Sequence, residues 1–187
     1  VGVDVGLIWF ATLSNGEQID NPRFYRTDEA DLKRAQKLKD AAKTAQKWDE
    51  HRHRKKALAH IHERIATQRS DFAHKRSREL VNAYQVIVFE ELEPQAMGKS
   101  RGMRKSILDV AWSQFISMTL SKAAEAGRTA ILVNPRNTSK ICSQCGELVQ
   151  KSLSTRTHSC AQCGLVMERD ANAALNILQR GLETLRL

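Results

Sequence analysis

All four cysteines of this 187-residue chain fall between residues 142 and 163. They form two knuckles, "CSQCG" at Cys142 and Cys145 and "CAQCG" at Cys160 and Cys163, separated by fourteen residues. A Cys-x-x-Cys turn aims two sulfurs at one point, and two such turns complete a tetrahedral thiolate site for Zn²⁺. Gly146 and Gly164 follow the second cysteine of each pair, which predicts a positive φ closing each knuckle. With all four positions filled by protein, the predicted zinc is structural. Cysteines crowded into one short insert suit metal binding in a reducing cytoplasm, not a disulfide framework. The fold must therefore bring the segments on either side of a zinc ribbon, residues 141–164, to one place. His158 beside the knuckles is read as a surface or packing residue. The ribbon itself is either a nucleic-acid-binding element or a clip that fixes the last helix.

The rest of the chain reads as alternating strands and helices. Residues 1–13 alternate, with Val1, Val3, Val5 and Leu7 on one face and Gly2, Asp4, Gly6 and Ile8 on the other, which predicts a strand. "SNGEQ" is a hairpin turn signal leading to a second strand through Ile19. Residues 28–82 contain neither Pro nor Gly and predict helix; their length calls for a helical hairpin with a break near "WDEHRHRKK". "YQVIVFEEL" predicts a short buried strand, "ILDVAWSQFISMTLSKAAEAGR" a helix stopped by Gly127, and "TAILV" another strand. The order predicts an α/β fold, a mixed sheet flanked by helices. No apolar run approaches the ~20 residues of a membrane span, and no signal peptide is recognisable. The chain opens inside an apparent strand without Met, which predicts a piece of a longer protein.

Charge points to the partner. The net charge is +9 and the isoelectric point about 9.7, a balance suited to nucleic acid. The basic run from Lys33 to Lys56 and the polar loop "EPQAMGKSRGMRKS" concentrate the excess. Lys55, Lys56, Lys99, Arg101, Arg104, Lys105, Arg136 and Lys140 are the candidate phosphate contacts. There is no Gly-rich phosphate loop of the GxxxxGK[ST] or GxGxxG kind, so a nucleotide cofactor or small-molecule substrate has no support.

Three carboxylates stand where carboxylates are costly. On a helical projection of Glu168 to Leu185, Asp170 lands near the middle of the apolar side, while Asn172, Asn176, Gln179, Arg180 and Glu183 fall opposite. Either Asp170 caps the helix or a cation neutralises it. Asp4 sits in mid-strand, where Asp is disfavoured, between Gly2 and Gly6, which leave room for another backbone or a ligand. Glu90 and Glu91 end the central strand, and periodicity does not choose between them. Carboxylates from two strands and a helix can converge at one end of a sheet. Hard oxygen ligands suit Mg²⁺, and paired ions serve phosphodiester hydrolysis.

"GVDVG", "VFEEL", "NTSKICSQCG" and "ERDANAALNI", in that order, closely resemble the RuvC-like nuclease domain of the OrfB/TnpB family of transposon-encoded proteins, which is related to the type V CRISPR effectors. "FAHKRSRELV" and "DVAWSQF" match its intervening helices, so the resemblance covers essentially the whole chain. It implies an RNase H-like fold, residues 1–140 with 165–187, carrying a basic helical insertion at 28–82 and the zinc ribbon before the last helix. It implies an RNA-guided DNA endonuclease, described in older usage as a transposase, with DNA and guide RNA as partners. Matched residue by residue, the catalytic, Mg²⁺-binding carboxylates are Asp4, Glu90 and Asp170, and the zinc ligands are Cys142, Cys145, Cys160 and Cys163. The choice of Glu90 over Glu91 rests on this resemblance. Where the family usually has Asp before the Arg-Asp pair, this chain has Glu168. The family's guide-holding region would lie before Val1, outside this chain. A non-cleaving nucleic-acid-binding remnant or regulator of transposition is the competing reading.

Overall fold

The computed structural model describes residues 1–92, 111–152 and 154–186. Strands β1 (Gly2–Val5), β2 (Trp9–Leu13) and β3 (Gln18–Asp20) are followed by helices α1 (Phe24–Thr44) and α2 (Trp48–Ala83). Then come β4 (Val86–Glu90), α3 (Trp112–Glu125) and β5 (Thr129–Val133). The short strands β6 (Thr157–Ser159) and β7 (Val166–Glu168) precede the last helix, α4 (Arg169–Leu185). Five strands form one mixed sheet in the order β3-β2-β1-β4-β5. The β1–β2–β3 pairs are antiparallel, and β1–β4 and β4–β5 are parallel.

The expected α/β organisation is present, with one correction at the start. Residues 1–13 are two strands, not one. The chain turns at residues 6–8, where Gly6 N–H donates to Phe10 O at 3.2 Å and Asn21 Nδ2 donates to Leu7 O at 2.8 Å. The apolar alternation runs on through this turn because Leu7 still packs against the core, so periodicity alone does not reveal it. The predicted helical hairpin is also present. Its break falls at residues 45–47, just before Trp48, where Gln46 takes a φ of 54°, and Arg64 ties α2 to Asp28 of α1 at 2.8 Å.

Helices cover both faces of the sheet. On one face Val3, Phe10, Leu13, Ile87 and Phe89 pack against Leu80, Val81, Trp112 and Phe115 of α2 and α3. Phe115 stands edge-on to Phe10 and Phe89, with ring centroids 5.0 and 5.6 Å apart. On the other face Val88 and Val133 pack against Ile177 of α4. Each fully buried side chain of this size contributes about 1.5–3 kcal/mol, so the two apolar layers clamp the central strands β1 and β4 from both sides.

Two glycines set how closely α4 lies on the sheet. A Cβ on Gly2 would fall 2.1 Å from Ala174 O and 2.6 Å from Leu178 N, and one on Gly181 would fall 2.3 Å from a Val88 methyl. The bare backbone of Gly2 therefore lets the helix rest directly on β1. Among the described residues no helix is long and apolar enough to cross a membrane.

Candidate active site and metal centre

The ribbon gathers its four thiols as the spacing predicts. Their sulfurs all lie within 4.8 Å of one another. Cys142 Sγ is 3.6 Å from Cys163 Sγ, and Cys145 Sγ is 3.6 Å from Cys160 Sγ. A tetrahedron with Zn–S bonds of about 2.3 Å has edges of roughly 3.8 Å, so the donor set fits Zn²⁺ closely. Gly146 and Gly164 both take a φ of 77°. Each donates its N–H to the first cysteine carbonyl of its knuckle at 2.9 Å. Crowding shows in the acidities. Burial raises the Cys142 thiol, but the backbone amides of Cys145 and Gln144, with His158 and Cys163, bring it down to about 6. Cys145, despite the amide of Glu147, is pushed up to about 12 by burial and its three sulfur neighbours. One thiolate forms readily and the next resists, a frustration that a divalent cation relieves. His158 is fully buried, with Lys151 Nζ on its Nδ1, so it is a packing residue and not a surface one.

The carboxylates meet at the carboxyl ends of β1 and β4. Gly2 pairs with Val88 and Val3 with Phe89; one further step of the register sets Asp4 level with Glu90, on strands about 4.8 Å apart. Gly2 and Val88 both face α4. Alternation then puts Asp4 and Glu90 on that same face, while Phe89 points to the opposite core. Glu91 lies past the strand end and is exposed. Residue 170 is one turn, about 6 Å, toward the N-terminus of α4 from residue 174, which covers Gly2. Asp170 thus arrives near Asp4, and the electrostatics agree. Burial, then Glu90, then Asp170 push the Asp4 carboxyl well above the ordinary carboxylate range, with Arg169 opposing them. Burial also raises Glu90, partly offset by the hydroxyl of Thr138, which donates to it.

Asp170 does not cap its helix. Arg169 opens α4 and Glu168 is the cap residue, without a side-chain capping bond. The Asp170 carboxylate instead takes Arg169 Nε and Nη2, each at 2.9 Å, and Arg156 Nη1 at 3.8 Å. Its place in the first turn also suits the positive end of the helix dipole. Glu168 is exposed and accepts Gln18 Nε2 at 2.5 Å, and its charge adds, last and least, to the repulsion on Asp4.

The two centres differ in readiness. Among the described residues, the four cysteines are the one group of three or more such side chains gathered closely enough to hold an ion as it stands. The carboxylates supply hard oxygen donors: Asp4 and Glu90 are desolvated on one sheet face, and Asp4 is repelled by Glu90 and by Asp170 of α4. Two of them are meanwhile engaged by protein cations or a hydroxyl.

Several residues here are absent from the sequence expectations. Asn172 and Asn176, placed on the polar face by the helical projection, are buried. Asn172 Nδ2 donates to Ile141 O at 2.8 Å and its Oδ1 accepts Ser143 N–H at 3.0 Å. Asn176 Nδ2 donates to Thr138 O at 2.8 Å and to Ile141 O at 2.7 Å. Polar residues can be buried on α4 because its flank packs on backbone at the ribbon base, not on apolar side chains. A pair of asparagines four apart within the helix, where Asn is a poor helix former, was the available signal.

Of the candidate phosphate contacts, Lys55, Lys56 and Arg136 are exposed and Lys140 is half-buried. Nearby Arg52 and Arg54 are engaged by Asp49 and Glu50. Lys99, Arg101, Arg104 and Lys105 lie outside the described residues.

Residues 1–101 match the OrfB_IS605 family, described as "Probable transposase", and residues 112–177 match the "Cas12f1-like, TNB domain". The chain is 38% identical, over 97% of its length, to a "Putative RNA-guided DNA endonuclease" of Streptomyces pristinaespiralis, covering 45% of that protein. It is 29% identical, over 97% of its length, to the "Putative RNA-guided DNA endonuclease InsQ" of Escherichia coli K12, covering 48% of it. The chain thus spans less than half the length of these relatives. In fold it is similar to a chain of a Cas12f1–sgRNA–target DNA complex, with a TM-score of 0.64 and 21% identity over 94% of this chain and 48% of that one. A CRISPR-Cas12f ternary complex gives 0.67 and 19% over 94% and 37%.

Proposed function

Because the chain belongs to the OrfB_IS605 family of probable transposases, we propose that it is the nuclease part of a transposon-associated, RNA-guided DNA endonuclease. The observation that carries this reading is the convergence of Asp4, Glu90 and Asp170 at one end of the parallel β1–β4 pair. Asp4 and Glu90 are desolvated there, and Asp4 already feels the charge of Glu90 and Asp170. Such a group is costly unless a cation compensates it. The antiparallel β1–β2–β3 segment joined to parallel β4 and β5, with helices on both faces, supports an RNase H-like fold built from residues 1–140 and 165–187. The ribbon, 141–164, is inserted into it, and its zinc is structural.

Mg²⁺ bound by Asp4, Glu90 and Asp170 would supply the Lewis acidity that activates water and stabilises the departing 3′ oxygen. The remaining work falls to the chain. The three carboxylates hold their oxygens on one face, and the glycine contact of α4 with β1 fixes Asp170 over Asp4. Arg169 and Arg156 neutralise Asp170 until a cation takes over. Lys55, Lys56, Arg136 and Lys140, together with Lys99, Arg101, Arg104 and Lys105, contact phosphates and contribute affinity without sequence information. In a full-length protein, pairing with a guide RNA selects the DNA target.

The test is Asp170→Ala in a full-length protein supplied with guide RNA, target DNA and Mg²⁺. Cleavage should fall by orders of magnitude while zinc content stays unchanged. Undiminished cleavage would exclude the assigned role. A parent protein that binds DNA with its guide yet never cuts would establish the non-cleaving remnant instead.

A further inference from the structure

The Glu90 carboxylate is held by a side chain from the approach to the ribbon. Thr138 is buried, and its hydroxyl donates to Glu90 Oε1. The same hydroxyl lies 3.1 Å from Pro135 O. It has one proton to give, and the charged carboxylate is the stronger acceptor. Thr138 is itself fixed from the other side. Its carbonyl accepts Asn176 Nδ2 at 2.8 Å. The turn it belongs to is closed by Ile141 N–H on Asn137 O at 2.9 Å. Ile141 O in turn takes both Asn172 and Asn176, and the next residue is the zinc-ligand candidate Cys142. An unbroken path of hydrogen bonds therefore runs from Glu90 through Thr138 and Asn176 into α4, the helix that carries Asp170.

We infer that Thr138 is a positioning residue for Glu90, and that α4 and the ribbon base together set where Thr138 stands. The inference rests on the reading of Asp4, Glu90 and Asp170 as a divalent-cation site. Glu90 comes from β4 and Asp170 from α4, so no shared element fixes their separation. Packing of Ile177 and Gly181 on Val88 seats α4 on β4, and the Asn176–Thr138–Glu90 path adds a polar tie at the carboxylate itself. With the hydroxyl on Oε1, Glu90 keeps its second oxygen for a cation. Partners of this kind typically contribute 10–100-fold to metal affinity.

The experiment is Mn²⁺ binding to the 187-residue chain, read by electron paramagnetic resonance of the free ion, with zinc content measured in parallel. Thr138→Val keeps the shape and removes the hydroxyl; Thr138→Ser keeps the hydroxyl. Thr138→Val should weaken Mn²⁺ binding roughly tenfold or more with zinc retained, and Thr138→Ser should restore it to within about twofold. Thr138→Val binding Mn²⁺ like the parent, or Thr138→Ser as weak as Thr138→Val, would overturn the positioning role. Asp4→Asn and Asp170→Asn are the controls for the site itself. If parent Mn²⁺ binding is indifferent to both, the cation site is wrong and the role of Thr138 falls with it.

Discussion

The zinc ribbon and the carboxylate site solve opposite problems. The ribbon collects its donors from 22 consecutive residues and holds the sulfur pairs at 3.6 Å. The carboxylate site draws on Asp4, Glu90 and Asp170, two strands and a helix that meet only when the whole sheet and α4 are in place. In the ribbon, local turns set the geometry, and four crowded thiols are placed where a metal could tie them together. At the carboxylates the fold is prepaid by apolar layers, and like charges stay near one another in spite of repulsion. One centre should therefore depend on its ion for structure, and the other for chemistry.

The largest effect expected from this contrast is on zinc removal. Structural Zn²⁺ sites contribute about 10–16 kcal/mol of apparent binding energy in small ribbons and fingers, and among the described residues of the insert only Cys142, His158 and Cys160 are buried, too few to replace it. Cys142→Ser, or a zinc-selective chelator, should abolish amide-exchange protection across β6 and β7 and at Ser143. Protection in β1 and β4 should persist. Withholding Mg²⁺ should leave protection in both regions intact. Exchange that collapses in the sheet and ribbon together would show that the two are one cooperative unit and break the contrast.

The same contrast explains what could be read in advance. The ribbon was legible because its information is a spacing: two knuckles, two following glycines and fourteen residues between. The strand–helix order was legible for a similar reason, since period and breakers are local. The turn at residues 6–8 was not, because Leu7 continues the apolar alternation. The carboxylates were visible one by one as misplaced charges, but Glu90 could be chosen over Glu91 only by family resemblance. The register of β1 on β4 now supplies a physical reason, since it puts Glu90, with Val88, on the face toward α4. Asn172 and Asn176 left only the faint signal of a poor helix former repeated four residues on, and Thr138 left none, because their partners are backbone carbonyls, an amide and a carboxylate distant in sequence. A helical projection assumes that polar means exposed, and here the flank of α4 packs on backbone.

A smaller effect tests whether the carboxylate site is held by packing. Gly2→Ala places a methyl 2.1 Å from Ala174 O and 2.6 Å from Leu178 N, both backbone atoms that cannot rotate away. The helix must lift from β1. Overpacking of this kind costs about 1–3 kcal/mol, or ~2–4 °C in Tm per kcal/mol for a chain of this size. Because α4 carries Asp170, Mn²⁺ affinity should fall along with Tm, while zinc content holds. An unchanged Tm would mean that α4 is not clamped where the carboxylates require it.

The smallest effect has the most informative sign. Burial, Glu90 and Asp170 hold the Asp4 carboxyl well above its ordinary value of 3.8. Below that value the carboxyl is protonated in both folded and unfolded chains, and its ionisation costs nothing. As pH rises, the unfolded chain releases the proton first, and stability falls until the folded carboxyl also ionises. Asp4→Asn removes this penalty. Without divalent cations its Tm should match the parent below about pH 4 and exceed it by a few degrees at neutral pH, each kcal/mol recovered appearing as ~2–4 °C. Saturating Mg²⁺ should reverse the order. A ligand at 100 times its Kd stabilises the protein that binds it by about 2.7 kcal/mol, and the parent would gain this where Asp4→Asn would not. A crossing of the two Tm values on Mg²⁺ addition therefore measures the carboxylate site as strain relieved by an ion. Parallel curves, with no Mg²⁺ response in either protein, would place Asp4 among ordinary buried acids and leave the ribbon as the only metal centre among the described residues.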